Sequence, residues 1–273
     1  MSLFVATTPI GNLGDATPRL RETLASAGLI LAEDTRRTRK LLTALSIETG
    51  ARVRSCHQHN EPGRIEEVLS TLERGDDVVL VSDAGVPAIS DPGALVVEAV
   101  HGAGFDVRVI PGPSAVASAL SVSGFPGVPH AFFGFAPRKG KARRSWIASV
   151  LAFEGTVIVF EAPTRTARLV GDLAEADADR EACLCRELTK VHEEVRRASL
   201  AVLAAELSER ALKGEVTLVL APGTGESVQE GDAERALRGQ GAAAGALAES
   251  WGLSRQEVYE ALSELKRELL NDA

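Results

Sequence analysis

Short apolar runs broken by turn signals dominate the first 120 residues. Leu3–Thr7 is one such run, ending in the turn-rich Thr8-Pro9-Ile10-Gly11-Asn12. Leu29–Ala32, Val78–Val81 and Val107–Ile110 are others, apolar and too short for helices, and they read as buried strands. Between them lie helix signals. Thr17-Pro18 has the form of an N-cap followed by proline at the first helical position, and Gly28 closes that helix. Asp91-Pro92 reads the same way and opens a helix to about Val100; Pro111-Gly112-Pro113-Ser114 leads into an Ala/Ser-rich helix. Strands alternating with helices predict a mostly parallel sheet covered on both faces.

The pattern changes after Gly124-Phe125-Pro126-Gly127-Val128-Pro129. Thr156–Phe160, Ala182–Arg186, Glu194–Ala198 and Glu215–Leu220 read as strands, with helical periods at Arg165–Leu173 and Leu200–Leu212. Some strands follow each other with no helix between, which predicts a mixed sheet. The fold class is therefore α/β, with a parallel-sheet domain over 1–124 and a second α/β domain over 125–221. A polar linker over 222–232 and a helical module over 233–273 follow. The stretch from Gly245 to Tyr259 has the form of helix, glycine turn, Ser254 cap and helix. Its second helix carries Arg255 but also Glu257, Glu260 and Glu264. DNA binding needs a basic face, so an accessory packing module is expected here.

The composition is that of a soluble globular protein: 273 residues, 45% hydrophobic, 25% charged, with an aliphatic core because aromatics are only 4%. The formal charge of −8 supplies no global field for nucleic acid or membrane, so an anionic substrate must meet a local basic patch. Two stretches offer one, Arg36-Arg37-Thr38-Arg39-Lys40 and Arg138-Lys139-Gly140-Lys141-Ala142-Arg143-Arg144. Each has the bland reading of a solvated face. Three cysteines, Cys56, Cys183 and Cys185, suit a reducing compartment better than a disulfide framework. No basic segment precedes an apolar run at Met1–Val5 and no run has the length of a membrane span, so a cytoplasmic address is expected.

The common phosphate motifs fail. No G-x-G-x-x-G follows the first strand, and Gly134-Phe-Ala-Pro-Arg-Lys-Gly140-Lys141-Ala142 has the wrong glycine spacing and no hydroxyl for magnesium. Cys56-His57-Gln58-His59-Asn60-Glu61 is rich in ligand atoms but has no partners at metal spacing, so no metal is expected. The strand-end loops say more. Thr8–Asn12, Ser82–Pro87 and Pro111–Ala115 each follow a predicted strand, where ligands of open α/β sheets bind. Together they form the walls of one small-molecule pocket.

Those loops belong to an ordered set. Thr8-Pro9-Ile10-Gly11-Asn12-Leu13, Ala32-Glu33-Asp34-Thr35-Arg36, His59-Asn60-Glu61, Leu80–Gly85, Ile89-Ser90-Asp91-Pro92-Gly93 and Pro111-Gly112-Pro113-Ser114-Ala115 are followed by Arg186-Glu187-Leu188-Thr189-Lys190 and Lys213-Gly214-Glu215. The set resembles the ribosomal RNA small subunit methyltransferase I family of the tetrapyrrole methylase superfamily, over about residues 3–221. The resemblance implies a two-domain methylase with S-adenosylmethionine between its domains, usually a homodimer. It also implies 2′-O-methylation of a cytidine in 16S ribosomal RNA near the decoding centre, within the 30S subunit. Its rivals are a C-methylase of tetrapyrrole precursors and a non-catalytic regulator using the tail on DNA. Val86 stands where the family has threonine, and Glu161-Ala162-Pro163-Thr164-Arg165 lacks the family's serine and histidine.

On that resemblance the cofactor walls come from Pro9 and Gly11, from Asp83, Ala84, Gly85 and Pro87, and from Pro111, Gly112, Pro113, Ser114 and Ala115. The strand end Phe160, Glu161 and Ala162 completes them. Candidates for a general base are Asp34, His59, Glu61, Glu187 and a Lys190 of lowered pKa. Arg36, Arg165, Arg186 and Lys190 are candidates for holding RNA phosphates.

Overall fold

The structure is a computed structural model in which the described residues are 1–223. The helical module predicted over 233–273 lies outside them, as does nearly all of the linker predicted over 222–232.

Five strands build the first sheet: β1 (Ser2–Ala6), β2 (Leu29–Ala32), β3 (Arg52–Ser55), β4 (Val78–Val81) and β5 (Asp106–Ile110). All pairings are parallel, in the order β3-β2-β4-β1-β5. Four helices connect them: α1 (Pro18–Ser26), α2 (Thr35–Ala44), α3 (Ile65–Glu73) and α4 (Ala94–Gly102). Every residue of β2 and β4 is buried, as expected for central strands covered on both faces. One face packs Ile30 and Val79 on Leu20, Leu24 and Leu42; the other packs Leu31 and Leu80 on Val68, Leu72, Val96 and Val100. Thr17 caps α1 as expected, its hydroxyl accepting from Leu20 N at 3.1 Å.

The next helix, α5 (Ala115–Ser123), packs on strands of the second sheet. That sheet holds β6 (His130–Phe135), β7 (Thr156–Glu161), β8 (Glu181–Arg186), β9 (Glu194–Ser199) and β10 (Val216–Leu220), in the order β6-β7-β10-β8-β9. Only β6 and β7 run parallel; the other pairs are antiparallel. Helices α6 (Gly140–Ala152), α7 (Pro163–Ala174) and α8 (Leu200–Ser208) complete it. A small cluster of Ala119, Ile158, Cys183, Cys185 and Val219 also takes in Ile10, from the loop after β1, and Leu188. Residues of both halves thus share one apolar seam.

One helix start differs from the expectation. Asp91-Pro92 does not open α4; the cap residue is Gly93, at φ +136°. A Cβ at Gly93 would stand 2.6 Å from Leu80 Cδ2, so only glycine fits that turn. Asp91 is left free of the cap.

Candidate active site

In the first sheet β4, β1 and β5 are neighbours, so their carboxyl-end loops lie side by side. They are bound to one another. Thr8 N donates to Gly85 O at 2.9 Å and Gly85 N to Thr8 O at 3.0 Å. Gly85 has φ +79°, a conformation that disfavours other residues. A Cβ at Gly112 would stand 3.2 Å from Thr7 Cβ, so the loop after β5 lies tight on the loop after β1. Ser114 then caps α5, its hydroxyl 3.5 Å from Ala117 N.

The second sheet supplies the facing wall. The end of β7 runs into Pro163, at the first turn of α7. Phe160 meets the rings of Phe132 and Phe135 edge-on, at 4.7 and 5.7 Å between centroids. Together these elements enclose a cavity of about 270 Å³. Its walls include Ala84 and Gly85, Ser114 and Ala115, and Phe160, Glu161 and Ala162 of the expected set, joined by Ile10, Asp91, Phe135 and Glu215. Pro9, Gly11, Asp83, Pro87, Pro111, Gly112 and Pro113 belong to the same loops but not to the wall. Besides Gly112, two of them have visible structural tasks. Asp83 accepts from Asp34 N at 3.0 Å and pairs with Arg37 at 3.3 Å. Gly11 lies against Thr189 and Lys190, with no room for a Cβ.

Glu161 is the most informative wall residue. Its side chain is fully buried. Oε1 accepts from Ala162 N at 2.8 Å and from Arg165 Nε at 2.6 Å. Oε2 is buried without a hydrogen-bond partner. A buried carboxylate oxygen left open costs free energy unless a ligand donates to it.

Asp91 is the second. Burial pushes its carboxyl up to about 6; the negative charges of Glu33 and Asp83 add to this and a Ser82 hydrogen bond opposes it. A wall carboxyl titrating so near neutrality is a mark of functional sites.

The expected bases and cations are spent on one another. Lys190 Nζ donates to Glu187 Oε1 at 2.7 Å and to Glu215 Oε2 at 2.9 Å. Burial pulls its pKa down, but the bonds to Glu187 and Glu215 outweigh burial and the net shift is upward. This corrects the expectation of a lowered Lys190 pKa. Glu187 is held below the ordinary range by the Lys190 hydrogen bond and by Glu215 N. Arg186 pairs with Glu194 at 2.8 Å, Arg165 pairs with Glu161, and Arg36 meets Asp34 at 2.8 Å.

Asp34, His59 and Glu61 are not on the cavity wall. Asp34 caps α2, accepting from Arg36 N at 2.8 Å. His59 is exposed on the turn after β3, its ring 6.2 Å from that of His57. Glu61 is 5% exposed, and its Oε1 accepts from Gly93 N, Leu95 N and Val96 N at 2.8–3.2 Å. It caps α4 from a distance in sequence. Glu61→Ala is expected to cost about 2 kcal/mol of stability, the upper range for a lost cap. Urea unfolding reads it; an unchanged midpoint would deny Glu61 this task.

The backbone around the cavity is strained. Of five non-glycine residues with positive φ among the described residues, Ala88 and Ser90 lie in the loop after β4, and Glu187 and Thr189 in the loop after β8. Such strain persists where the surroundings over-determine it, and it concentrates at ligand sites. Asp91 and Glu215 stand inside motifs that carry the resemblance, yet Asp-Pro suggests a helix start and conceals Asp91 on the wall. Phe135 has no sequence signal of its own.

Among the described residues the chain is a two-sheet α/β protein with a cavity where strand-end loops of both sheets meet. The family model described as Tetrapyrrole (Corrin/Porphyrin) Methylases matches residues 2–204. A uroporphyrin-III C-methyltransferase from Thermus thermophilus, solved with S-adenosylhomocysteine, has the same fold at a TM-score of 0.52. It is 19% identical, over 81% of this chain and 96% of its own. "Ribosomal RNA small subunit methyltransferase I" of Synechocystis sp. is 40% identical over 97% of this chain and 98% of that one. The Mycobacterium tuberculosis protein of that name is 48% identical over 80% of this chain and 77% of that one. The chain belongs to the ribosomal RNA small subunit methyltransferase I family, within the tetrapyrrole methylases.

Proposed function

We propose that this protein uses S-adenosylmethionine to methylate the ribose 2′-oxygen of a cytidine in 16S ribosomal RNA near the decoding centre, as a homodimer acting on the 30S subunit. The observation that carries the reading is the cavity of a member of this family. Three strand-end loops of one sheet meet a strand end of the other at a buried carboxylate oxygen that lacks a donor. The residues fit the cofactor: Glu161 Oε2 would accept from an amino or hydroxyl group, Phe160 and Ile10 would give apolar contact, and Asp91 would face the cofactor's positive charge. When bound, S-adenosylmethionine supplies a methyl group already activated on a cationic sulfonium.

The chain's own work is placement. Holding a reacting oxygen in line and shedding water contributes roughly 7–11 kcal/mol in well-oriented systems. The strained loops after β4 and β8 fix the walls. Lys190, kept protonated between Glu187 and Glu215, ties the loop after β8 to the cavity wall and does not serve as a base. Arg36 is exposed but held by Asp34, so it meets a phosphate only by giving up that carboxylate.

The test is transfer of a labelled methyl group to 30S subunits and to naked 16S ribosomal RNA, with the modified position mapped by resistance to alkaline cleavage. One labelled cytidine is expected. Label on tetrapyrrole precursors instead, or on a base carbon, would replace this reading.

A further inference from the structure

The connection between β6 and α6 is tied down by three guanidinium groups. Arg165 Nη2 donates to Ala136 O at 2.9 Å, Arg143 Nη1 to Pro137 O at 3.1 Å and Arg168 Nη1 to Arg138 O at 3.5 Å. Three successive carbonyls are thus fixed from α6 and α7. Phe135, one residue earlier, is on the cavity wall. The surface that follows is rigidly coupled to the proposed active site.

Exposed cations gather on that surface. Arg138, Lys139, Lys141, Arg144 and Arg168 are all exposed, and none has a carboxylate partner among the described residues. Arg144 and Arg168 face one groove between α6 and α7. Asp172 on that groove is taken by Arg143 at 2.7 Å; Glu175 lies at the far, carboxyl end of α7. The other basic stretch differs. Arg36 and Arg37 are held by Asp34 and Asp83, which leaves Arg39 and Lys40. Arg165, Arg186 and Lys190 are also paired, so the uncompensated charge lies elsewhere.

We propose that Arg138, Lys139, Lys141, Arg144 and Arg168 form the docking surface for the RNA phosphates that flank the modified nucleotide. The proposal rests on the rRNA-methylation reading for its substrate. Unpaired cations on a fixed surface release the counterions of a phosphate backbone, which gives affinity and salt dependence without sequence readout. Paired cations must first give up a carboxylate. A surface that begins three residues beyond the wall residue Phe135 holds the RNA strand next to the cofactor.

The test uses the full chain with Arg138, Lys139, Lys141 and Arg144 all replaced by Ala. A second variant, Arg39→Ala with Lys40→Ala, removes exposed charge from α2. Binding to 30S subunits and to naked 16S ribosomal RNA is measured across a salt titration, with S-adenosylhomocysteine affinity as the check on folding. The fourfold variant is expected to bind RNA at least tenfold more weakly, with the slope of log affinity against log salt shallower by about 3. Its S-adenosylhomocysteine affinity is expected to be unchanged, and the α2 variant to stay near wild type. Wild-type RNA affinity and slope in the fourfold variant would overturn the proposal. So would an equal loss in the α2 variant, or wild-type capture by anionic phosphatidylserine vesicles in place of RNA. Failure of the wild type to methylate either RNA would instead sink the functional reading, which the binding titration does not depend on.

Discussion

Glu161→Gln weakens cofactor binding about 10- to 150-fold, the range of about 1.5–3 kcal/mol for a hydrogen bond to a charged group. The substitution keeps the shape of the side chain. Its amide oxygen must stay on the side of Ala162 N and Arg165, because two donors already point there. The amide nitrogen therefore takes the place of Oε2, and an acceptor facing the cavity becomes a donor. A ligand amino or hydroxyl group then meets a donor where it had an acceptor. The ion pair to Arg165 is lost in the same variant, so its thermal midpoint also falls. Arg165→Ala separates the two effects, since it removes the pair but leaves the carboxylate. Calorimetry with S-adenosylhomocysteine on both variants decides the matter. Equal losses of affinity in the two would reduce Glu161 to a structural residue.

The strands were the most legible part of the chain. Runs such as Val78–Val81 and Leu29–Ala32 have no polar position because both faces of a central parallel strand are covered. Edge elements had no such mark. β3 is Arg-Val-Arg-Ser, with Arg52 and Arg54 exposed and both paired to Glu67. A strand with one apolar residue carries no alternation to read. The two basic stretches concealed helices for a related reason. α2 buries Thr38 and Leu42, and α6 buries Val150 behind Arg143, so a charge run covers an amphipathic segment.

The site divides along the same physical line. Glycine-bearing loops after strands announced themselves, and Ala84, Gly85, Ser114 and Ala115 do line the cavity. What sequence does not carry is which charged groups neutralise one another. Glu215 joins the local Glu187–Lys190 pair only because β10 pairs with β8, placing Val216 opposite Arg186. Glu61 becomes a helix cap only because α3 and α4 pack side by side on one face of the sheet, bringing the turn before α3 to the start of α4. Ion pairs between residues distant in sequence are set by strand order and register, and neither is written in the local spacing of charges.

Asp91 should give cofactor binding a pH dependence opposite in sign to that of folding. Its carboxyl is moved from 3.8 to about 6, chiefly by burial and then by the charge of Glu33. The folded protein therefore holds this proton more tightly than the unfolded chain. The stability it contributes is fully present below about pH 4 and is lost as pH rises toward 6. Asp91→Asn stays neutral, so the wild-type midpoint should drop relative to the variant across that window and run parallel above it. A cationic ligand reverses the direction, because it needs the ionised carboxylate. Wild-type affinity for S-adenosylmethionine should rise with pH through about 6 and weaken about tenfold per unit below it. The slope should flatten in Asp91→Asn. It should also be shallower for S-adenosylhomocysteine, which lacks the sulfonium charge. Titrations from pH 5 to 7.5 with both ligands separate a direct electrostatic contact from a general loosening of the loop, since loosening would affect both ligands alike. Equal slopes for the two would remove Asp91 from contact with the positive end of the cofactor.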